Sequence, residues 1–318
     1  MLTEIIFLLL GLAMVVAGAD ALVDGASAIA RKLHVSEFVI GLTIVGFGTS
    51  CPELVVSVNG ALSGISDIAI GNVLGSNIFN TLLILGLTAL IMPIGITRSN
   101  RRRDIPVTLL VTVLLILLGM KHTLFGISSG DGLSRVEGIV FLALFVVYMY
   151  FCFKNDEGSD EAAPEKERST FTAILFTVAG LAGLIFGGQW FVDSAVGIAH
   201  KIGVSDKFIA VTLLAGGTSL PELAACAIAA ARKKGQLALG NILGSNIFNI
   251  LLILGTSAVI RPISFANIDL VDVVVLLSSM ILVALSSRTF KKDQIDRWEG
   301  AIFLAVFAAY FVWLFIKL

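Results

Sequence analysis

Charged residues are scarce in this chain. Only 14% of its 318 residues are Asp, Glu, Lys or Arg, whereas about a quarter are charged in an ordinary soluble protein. Apolar residues make up 57% of the sequence, and runs of about 17–25 of them, long enough to cross a membrane, recur from end to end. A soluble protein is therefore excluded, and the lipid bilayer is the partner that the composition predicts. The net charge of −1 does not indicate nucleic acid, and we expect none to bind.

Cysteine and histidine are rarer still. Cys51, Cys152 and Cys226 are odd in number and scattered, with no CxxC pair, which argues against a disulfide framework or a zinc site. The three histidines lie at the ends of apolar segments. An enzyme inside the membrane would need a nucleophile with its base or a metal-bound water. We therefore expect no enzymatic activity and no bound cofactor.

What the sequence does contain is a repeat. GTSCPEL at 48–54 returns as GTSLPEL at 217–223, an offset of 169 residues. At the same offset AIGNVLGSNIFNTLLILG (69–86) matches ALGNILGSNIFNILLILG (238–255) at 15 of 18 positions. We predict a first transmembrane repeat over 1–153, an acidic linker over 154–169 and a second transmembrane repeat over 170–318.

Each repeat contains five apolar segments of spanning length. We therefore predict an all-α integral membrane protein with ten transmembrane helices. Because five is odd, the second repeat enters the membrane from the opposite side, and the two five-helix repeats are inverted, as in many secondary transporters. The predicted spans are 3–23, 36–62, 68–91, 105–121, 136–153, 170–191, 205–231, 236–260, 268–287 and 297–316.

The basic residues orient these spans. Sixteen of the 22 Lys and Arg residues fall in one set of loops and ends, and six fall in the other. The positive-inside rule puts the richer set in the cytoplasm, which makes the linker 154–169 cytoplasmic and both termini extracytoplasmic. The first apolar run lacks the basic region of a signal peptide, so we expect it to remain as a span. The expected location is the cell (inner) membrane, crossed many times.

The repeated Pro-Glu pair stands inside an apolar span in both repeats. A carboxylate at the bilayer centre costs about 2.5–3.5 kcal/mol on insertion scales, and the spans provide almost no Lys or Arg to neutralise Glu53 or Glu222. Protonation or a bound cation must therefore compensate these charges. Pro52 and Pro221 each remove a helical hydrogen bond, so nearby backbone oxygens are expected to be free and to line a cavity.

Hydroxyl groups next to these prolines complete two clusters whose donor atoms are all oxygens. They belong to Thr49, Ser50, Thr218 and Ser219. Oxygen-only clusters select hard cations, and Ca²⁺ takes six to eight oxygens in flexible geometry, whereas Mg²⁺ holds its waters tightly. Transition metals prefer histidine or cysteine. The sequence therefore predicts a calcium site between the two glutamates.

The GNxLGSNIFN segments supply a second set of polar side chains. Their spacing by four puts them on one helix face, which we predict to face the glutamates. They are Asn72, Ser76 and Asn80 in the first repeat and Asn241, Ser245 and Asn249 in the second. For Asn72 and Asn241, hydrogen bonding between helices is an equal alternative. The glycines of the same segments, Gly71 with Gly75 and Gly240 with Gly244, predict close helix packing.

GTSxPE followed by GNxxGSNIFN, present twice over essentially the whole chain, resembles the cation/calcium exchanger superfamily, and most closely the prokaryotic sodium/calcium exchangers. The resemblance implies that spans one and six slide against a core of spans two, three, seven and eight. It implies calcium between Glu53 and Glu222 with backbone oxygens of Thr49 and Thr218. The sodium-binding residues that we expect are Gly46, Thr49, Ser50, Glu53, Ser76, Asn80, Ala215, Thr218, Ser219, Glu222, Ser245 and Asn249.

The resemblance also implies a reaction, the secondary active exchange of three Na⁺ for one Ca²⁺, which would be electrogenic. Relatives that co-transport potassium have aspartate where Asn249 stands, so we expect K⁺-independent transport. A H⁺/Ca²⁺ antiporter is the alternative, since both glutamates can carry protons, and a passive channel would ignore a sodium gradient. The oligomeric state is open, because the core of a single protomer would suffice for transport.

Overall fold

The computed structural model describes residues 1–127, 130–156, 169–203, 215–266, 268–289 and 293–317. Within these ranges the chain is predominantly helical, with four strands of two residues each. Most of the linker predicted at 154–169 and the beginning of the span predicted at 205–231 lie outside the described residues. All three cysteines are free thiols.

The helices are numbered in chain order. Those of the first half are α1 (Leu2–Leu33), α2 (Glu37–Ile40), α3 (Gly46–Thr49), α4 (Cys51–Ser63), α5 (Ser66–Ile78), α6 (Leu85–Ile91), α7 (Ile105–Gly119), α8 (Lys121–Phe125) and α9 (Arg135–Lys154). Those of the second half are α10 (Thr170–Lys201), α11 (Ala215–Gly217), α12 (Leu220–Ala231), α13 (Gly235–Ile247), α14 (Gly255–Ile260), α15 (Leu270–Ser286) and α16 (Arg297–Lys317). Wider π-helical turns occupy Gly41–Val45, Phe79–Ile84, Asn100–Asp104 and Phe248–Leu254, and the strands are β1 (Ile94–Gly95), β2 (Gly132–Leu133), β3 (Ile263–Ser264) and β4 (Gln294–Ile295).

The long apolar helices make this a helical membrane protein, as the composition predicts. Within the described ranges six helices are long and apolar enough to cross a bilayer, and a seventh is obtained if the bent pair Glu37–Thr49 and Cys51–Ser63 counts as one span. Two shorter apolar helices, α12 and α15, lie on predicted spans as well. The four short strands were not predicted, because two residues produce no periodic pattern.

Helices α1 and α10 are longer than the spans predicted for them at 3–23 and 170–191. Each has 32 residues, which corresponds to about 48 Å of helix against about 30 Å of hydrocarbon. The predicted limits follow the apolar run, whereas the helical backbone continues with polar side chains beyond it. These two helices therefore tilt or extend into the interfacial region.

The two small sheets join the halves of the chain at two places. Strand β1 pairs with β4 in antiparallel register, and β2 pairs with β3 in the same way. Helix packing crosses between the halves too: a Cβ on Gly86 of α6 would lie 3.0 Å from the backbone oxygen of Gly300 in α16. The matching contact is that of Gly138 in α9, where a Cβ would lie 2.8 Å from the oxygen of Gly255 in α14. Each half thus packs a late helix against the other half.

Helix α13 lies at the centre of the molecule. All of its residues except Gln236 are buried. A Cβ on Gly244 would lie 2.5 Å from the backbone oxygen of Leu42, and Gly240 packs equally tightly on Phe38, which confirms the close packing predicted for this segment. For Gly71 and Gly75 the described residues show no such contact, since an added Cβ would meet none of their atoms within 4 Å.

Helices α1 and α10 run antiparallel along their whole length. Lys201 at the end of α10 forms an ion pair with Glu4 (2.6 Å) at the start of α1, and Lys32 donates to Thr170 Oγ1 (3.1 Å) at the opposite end. Glycines line the contact between them, where added Cβ atoms would collide with the facing backbone. They are Gly11, Gly18 and Gly25 of α1 and Gly180, Gly183 and Gly187 of α10.

We expect Gly187→Ala to destabilise this helix pair, because its Cβ would lie 2.7 Å from Met14 Cβ and 2.9 Å from Gly11 O. Forcing extra atoms into a packed contact costs about 1–3 kcal/mol. The neighbouring Gly188→Ala is the matched control, since its Cβ meets no atom of the described residues closer than 3.9 Å. Thermal unfolding of the purified variants measures the difference. Equal unfolding temperatures for the two variants would contradict the contact.

Candidate cation site between two helix breaks

The site begins with a break in each of two helical segments. Ser50 separates α3 from α4 with φ −83° and ψ 6°, and Ser219 precedes α12 with φ −89° and ψ 7°. The helical segments Glu37–Thr49 and Cys51–Ser63 meet at 49°. Equivalent positions of the two halves therefore adopt the same non-helical backbone.

The prolines start new helices here, whereas the sequence predicts that each removes a hydrogen bond within a continuous span. Pro52 lies in the first turn of α4 and Pro221 in the first turn of α12. At that position the missing N–H has no intrahelical partner to lose, and the fixed φ suits a helix. The interruption is therefore present in both halves, but it separates two helices and the proline itself removes no intrahelical hydrogen bond.

Glu53 and Glu222 occupy the first turns of these new helices and are each 1% exposed. A helix N-terminus carries a partial positive charge, which favours a nearby carboxylate. Among the residues that the structure describes, neither carboxylate forms an ion pair with Lys or Arg. The helix ends thus supply part of the compensation that protonation or a bound cation is predicted to provide.

Serine hydroxyls cross between the halves to these carboxylates. Ser50 Oγ donates to Glu222 Oε1 at 3.0 Å, and Ser219 Oγ donates to Glu53 Oε1 at 3.1 Å. Ser245 Oγ lies 3.0 Å from Ser50 Oγ. The structure therefore brings the predicted serine hydroxyls and both carboxylates into one buried cluster. Ser50 and Ser219 each donate to the glutamate of the opposite half.

The remaining predicted residues surround this cluster. Ser76 Oγ lies 3.5 Å from Glu53 Oε1. Thr49 Oγ1 is occupied by Val45 O (3.1 Å) and Asn241 Oδ1 (3.2 Å). A Cβ on Gly46 would lie 3.4 Å from the backbone N of Ser245, so this glycine keeps the two segments close.

The counterparts of these residues in the second half lie at the edge of what is described. Ala215 begins α11, directly after a stretch outside the described residues. Thr218 is half-buried and lies at the wall of a cavity. Gly46 and Ala215 are equivalent positions of the two repeats.

Asn72 forms hydrogen bonds between helices, which is the alternative to a place on the face toward the glutamates. Its Nδ2 donates to Glu53 O at 3.1 Å and to Ser57 Oγ at 2.9 Å, which ties α5 to α4. Asn241 likewise joins helices through Thr49 and through Cys226 Sγ at 3.2 Å. Both side chains act as hydrogen-bonding links behind the cluster.

Four asparagines of the two GSNIFN segments bond to one another beside the cluster. Asn80 and Asn249, both predicted, donate through Nδ2 to Asn246 Oδ1 (3.3 Å) and Asn77 Oδ1 (2.9 Å). Asn77 and Asn246 were missed, because the argument from a spacing of four assumes a regular α-helix. The π-helical turns begin at Phe79 and Phe248 and change which residues share a face. The direct repetition of GSN was the available signal.

Four buried carboxylate and amide oxygens of this cluster have no hydrogen-bond partner within the described part of the chain, and the Thr218 hydroxyl has none either. The four are Glu53 Oε2, Glu222 Oε2, Asn80 Oδ1 and Asn249 Oδ1. Buried polar atoms are nearly always satisfied by protein, water or an ion. All four are acceptors, and carboxylate and carbonyl oxygens are the ligands of hard cations such as Ca²⁺ and Na⁺. The arrangement can therefore take up cations of this class.

A cavity of about 440 Å³ opens beside the cluster. It lies between α4, α10 and α12, and Cys51, Asp193 and Thr218 are among the residues at its wall. The cavity brings solvent-sized space next to the helix break at Thr218 and Ser219. The cavity therefore approaches the cluster from this side, while both carboxylates remain 1% exposed.

Comparison with known proteins identifies the family. The family model described as sodium/calcium exchanger protein matches residues 3–154 and 172–316. This chain belongs to the sodium/calcium exchanger protein family. The two matched stretches together cover most of the chain and make it a member of a membrane exchanger family.

Similar members of the family span nearly all of the chain. The putative antiporter CaxA of Alkalimonas amylolytica is 41% identical and covers 98% of each chain. The sodium/calcium exchanger MaX1 of Methanosarcina acetivorans is 36% identical, again over 98% of both. The inner membrane protein YrbG of Escherichia coli is 39% identical over 82% of this chain and 81% of its own.

Solved structures of the sodium-calcium exchanger NCX_Mj have the same fold. The form soaked with Na⁺ and Ca²⁺ is 36% identical and covers 96% of this chain and 97% of its own, with a TM-score of 0.84. The form soaked with neither ion gives a TM-score of 0.85, at 36% identity and 98% coverage of both chains. The exchanger family and its fold are thereby both shown for this chain.

We expect Ca²⁺ to protect the purified protein against thermal unfolding, because a cation held by the four partnerless oxygens would stabilise the folded state alone. A ligand at a hundred times its dissociation constant adds about 2.7 kcal/mol. Glu53→Gln should lose most of this shift. Glu299→Gln is the control, since Glu299 is 2% exposed but bonds to Asp296 N (2.8 Å) and Thr289 Oγ1 (3.2 Å) at the start of α16. A full shift in Glu53→Gln would refute cation binding here.

Proposed function

We propose that this protein is a secondary active antiporter that exchanges Na⁺ for Ca²⁺ by alternating access. The observation that carries the proposal is the set of four buried, partnerless acceptor oxygens at two opposed helix breaks. Acceptors of this kind are satisfied by a cation or by a hydrogen-bond donor, and the charge of the two carboxylates favours the cation. The names of similar proteins, sodium/calcium exchanger MaX1 and NCX_Mj, support sodium and calcium as the transported ions.

Calcium in this proposal lies between Glu53 and Glu222, with backbone oxygens of Thr49 and Thr218. Sodium ions flank that position and use the carboxylates together with the hydroxyls and amides around them. The partnerless amide oxygens of Asn80 and Asn249 complete the middle of the site and therefore face the calcium position as well. Two carboxylates carry a charge of −2, which one Ca²⁺ or two Na⁺ would neutralise. Since both ions need the same glutamates, they compete and cannot occupy the site together. That competition couples the two fluxes, because an empty pair of buried carboxylates is costly to move through the membrane.

The ten-span inverted topology belongs to the same proposal, with repeats at 1–153 and 170–318. Ion pairs support the assignment of sides. Arg101 pairs with Asp293, and Lys234 with Glu37, where all four are predicted to be cytoplasmic. On the predicted outer side the pairs are Lys201 with Glu4 and Lys317 with Asp269. The resulting orientation has a cytoplasmic linker at 154–169 and both termini outside.

The conformation corresponds to a state open toward the outside. The cavity beside the site is bordered by the part of α10 around Asp193, on the predicted outer half. On the predicted cytoplasmic half, Arg232 at the end of α12 pairs with Asp20 and Asp24 of α1. The residue equivalent to Arg232 in the first repeat is Ser63, which cannot form such a pair. We infer that opening to the cytoplasm requires α1 to leave Arg232 and slide along the core.

The charge balance supports electrogenic, K⁺-independent exchange. Asn249 stands at the place where potassium-dependent relatives have aspartate, so the described core contains two carboxylates. Transport of three Na⁺ against one Ca²⁺ moves one net positive charge in each cycle. A H⁺/Ca²⁺ antiporter is the alternative function, since Glu53 and Glu222 can each carry a proton when no metal ion is bound.

Calcium uptake into sodium-loaded proteoliposomes tests the coupling ion. Dilution into sodium-free choline buffer should drive Ca²⁺ inward, and Glu222→Gln should reduce the initial rate to background because it removes a shared ligand. Glu299→Gln serves as the control for a buried glutamate outside the site. Uptake driven by a pH gradient alone, without internal sodium, would instead establish the proton antiporter.

Membrane potential and potassium test the charge balance separately. Because one net positive charge leaves the vesicle for each Ca²⁺ that enters, an inside-negative potential should slow sodium-driven Ca²⁺ uptake, and an inside-positive potential should accelerate it. A potential clamped with valinomycin and K⁺ sets the voltage, and a protonophore with a pH step sets it without K⁺. Equal rates at all voltages would refute electrogenic exchange, whereas a rate that needs K⁺ at fixed voltage would refute K⁺ independence.

A further inference from the structure

Asn77 and Asn246 bond to Asn249 and Asn80, two of the predicted cation-binding residues. Neither Asn77 nor Asn246 has a partnerless side-chain atom among the described residues. We propose that Asn77 and Asn246 are positioning residues that hold the side chains of Asn249 and Asn80 with oxygen, not nitrogen, toward the ion site. The inference rests on the proposed function, because it concerns the same cation site.

An asparagine side chain has two ends of nearly the same size and opposite polarity. Its carbonyl oxygen accepts hydrogen bonds and binds cations, whereas its NH₂ group only donates. A half-turn of Asn80 or Asn249 would replace a cation ligand with a group that repels cations. Each of these side chains is 1% exposed, so bulk solvent does not set its orientation. Neighbouring side chains must decide it.

Asn77 decides the orientation of Asn249. Asn77 Nδ2 donates to the backbone oxygen of Asn246 at 3.3 Å, and a backbone oxygen can only accept. The other end of Asn77, its Oδ1, is therefore the atom that faces Asn249. Asn249 must present Nδ2 to it, at 2.9 Å, and its own Oδ1 is left without a partner among the described residues.

Asn246 decides the orientation of Asn80 by a different route. Asn246 Nδ2 donates to Thr81 Oγ1 at 2.8 Å, and the Thr81 hydroxyl in turn donates to Met280 Sδ at 3.7 Å. Asn246 Oδ1 then accepts from Asn80 Nδ2 at 3.3 Å. The partnerless atom of Asn80 is again Oδ1.

One difference between the repeats accounts for the two routes. The residue equivalent to Thr81 in the second repeat is Ile250, which has no hydroxyl group to accept from Asn77. Asn77 bonds to a backbone oxygen instead. Both hydrogen bonds also join the two repeats. Asn77 of the first repeat bonds to Asn249 of the second, and Asn246 of the second bonds to Asn80 of the first. Both arrangements nevertheless end with an oxygen facing the site.

The first test is a calorimetric titration of the purified full-length exchanger with Ca²⁺. Loss of an outer partner that orients a metal ligand weakens binding by about 10–100-fold, and Asn77→Leu should fall in this range because it frees Asn249 to turn. The decisive comparison repeats Asn77→Leu in an Asn249→Asp background. A carboxylate has oxygen at both ends, so no orientation remains to be held, and the cost of Asn77→Leu should shrink to less than about threefold.

A merely structural role for Asn77 would produce the same loss in both backgrounds, and that result would overturn the inference. Asn246→Leu in wild-type and Asn80→Asp backgrounds provides a second, matched cycle with the same expectation. Thr81→Val is a milder variant for the case that the Leu variants fail to fold. It removes the hydroxyl that holds Asn246, and its weakening of Ca²⁺ binding should likewise disappear in the Asn80→Asp background.

Binding by the wild type separates the two proposals. If the wild-type protein binds Ca²⁺ and the cycles are additive, the inference alone is wrong. If the wild-type protein binds neither Ca²⁺ nor Na⁺, the proposed function fails and the inference fails with it. Unfolding temperatures measured without ions confirm that each variant is folded before its affinity is compared.

Discussion

The burial of two carboxylates, with no basic partner among the residues that the structure describes, is the constraint on which the centre of this molecule depends. A charge in this environment is tolerated only when its surroundings are arranged to stabilise it. Here each helix is interrupted at a serine, so that Glu53 and Glu222 begin new helices and meet their positive ends. Hydroxyls from the opposite half supply one hydrogen bond to each carboxylate. The second oxygen of each remains for a cation.

The sequence repeat explains why this arrangement occurs in pairs. A helix break followed by Pro-Glu is present in both halves, and a serine hydroxyl of each half donates to the carboxylate of the other. The copies are not identical, however. In the alignment of the two repeats, Thr81 corresponds to Ile250 and Arg232 corresponds to Ser63. The hydrogen bonds of Asn77 and Asn246, and the contacts of α1, therefore differ between the halves. Small departures from symmetry of this kind give the conformations of a transporter that open to its two sides different free energies.

The sequence predicted the chemistry of the site better than its geometry. Pro-Glu in an apolar span, without Lys or Arg, was sufficient to predict oxygen ligands and a cation, because the cost of burying charge does not depend on the details of the fold. The location of each break at Ser50 or Ser219 was not predictable in the same way. A proline permits a kink or a helix start, and packing against the opposite half selects between them.

Other features depended on contacts that a linear pattern does not contain. Asn77 and Asn246 were missed because π-helical turns change the helical spacing just where the site is formed. The full lengths of α1 and α10 exceed their apolar runs, since hydropathy reports the hydrocarbon and not the end of the helix. The glycines of α13 were recognised as a packing face, whereas their partners on Phe38 and Leu42 became known from the structure.

Strands and helices of the first half pair with strands and helices of the second half, which has a consequence for biogenesis. Strands β1 and β2 and helices α6 and α9 of the first half have partners that leave the ribosome only after α10. Contacts so distant along the chain close late, so Gly86 and Gly138 lack their packing partners until the second half has been synthesised. A nascent chain that stopped after the linker would therefore lack both sheets and both glycine contacts. The contact between Gly86 and α16 is among the last that the growing chain can form.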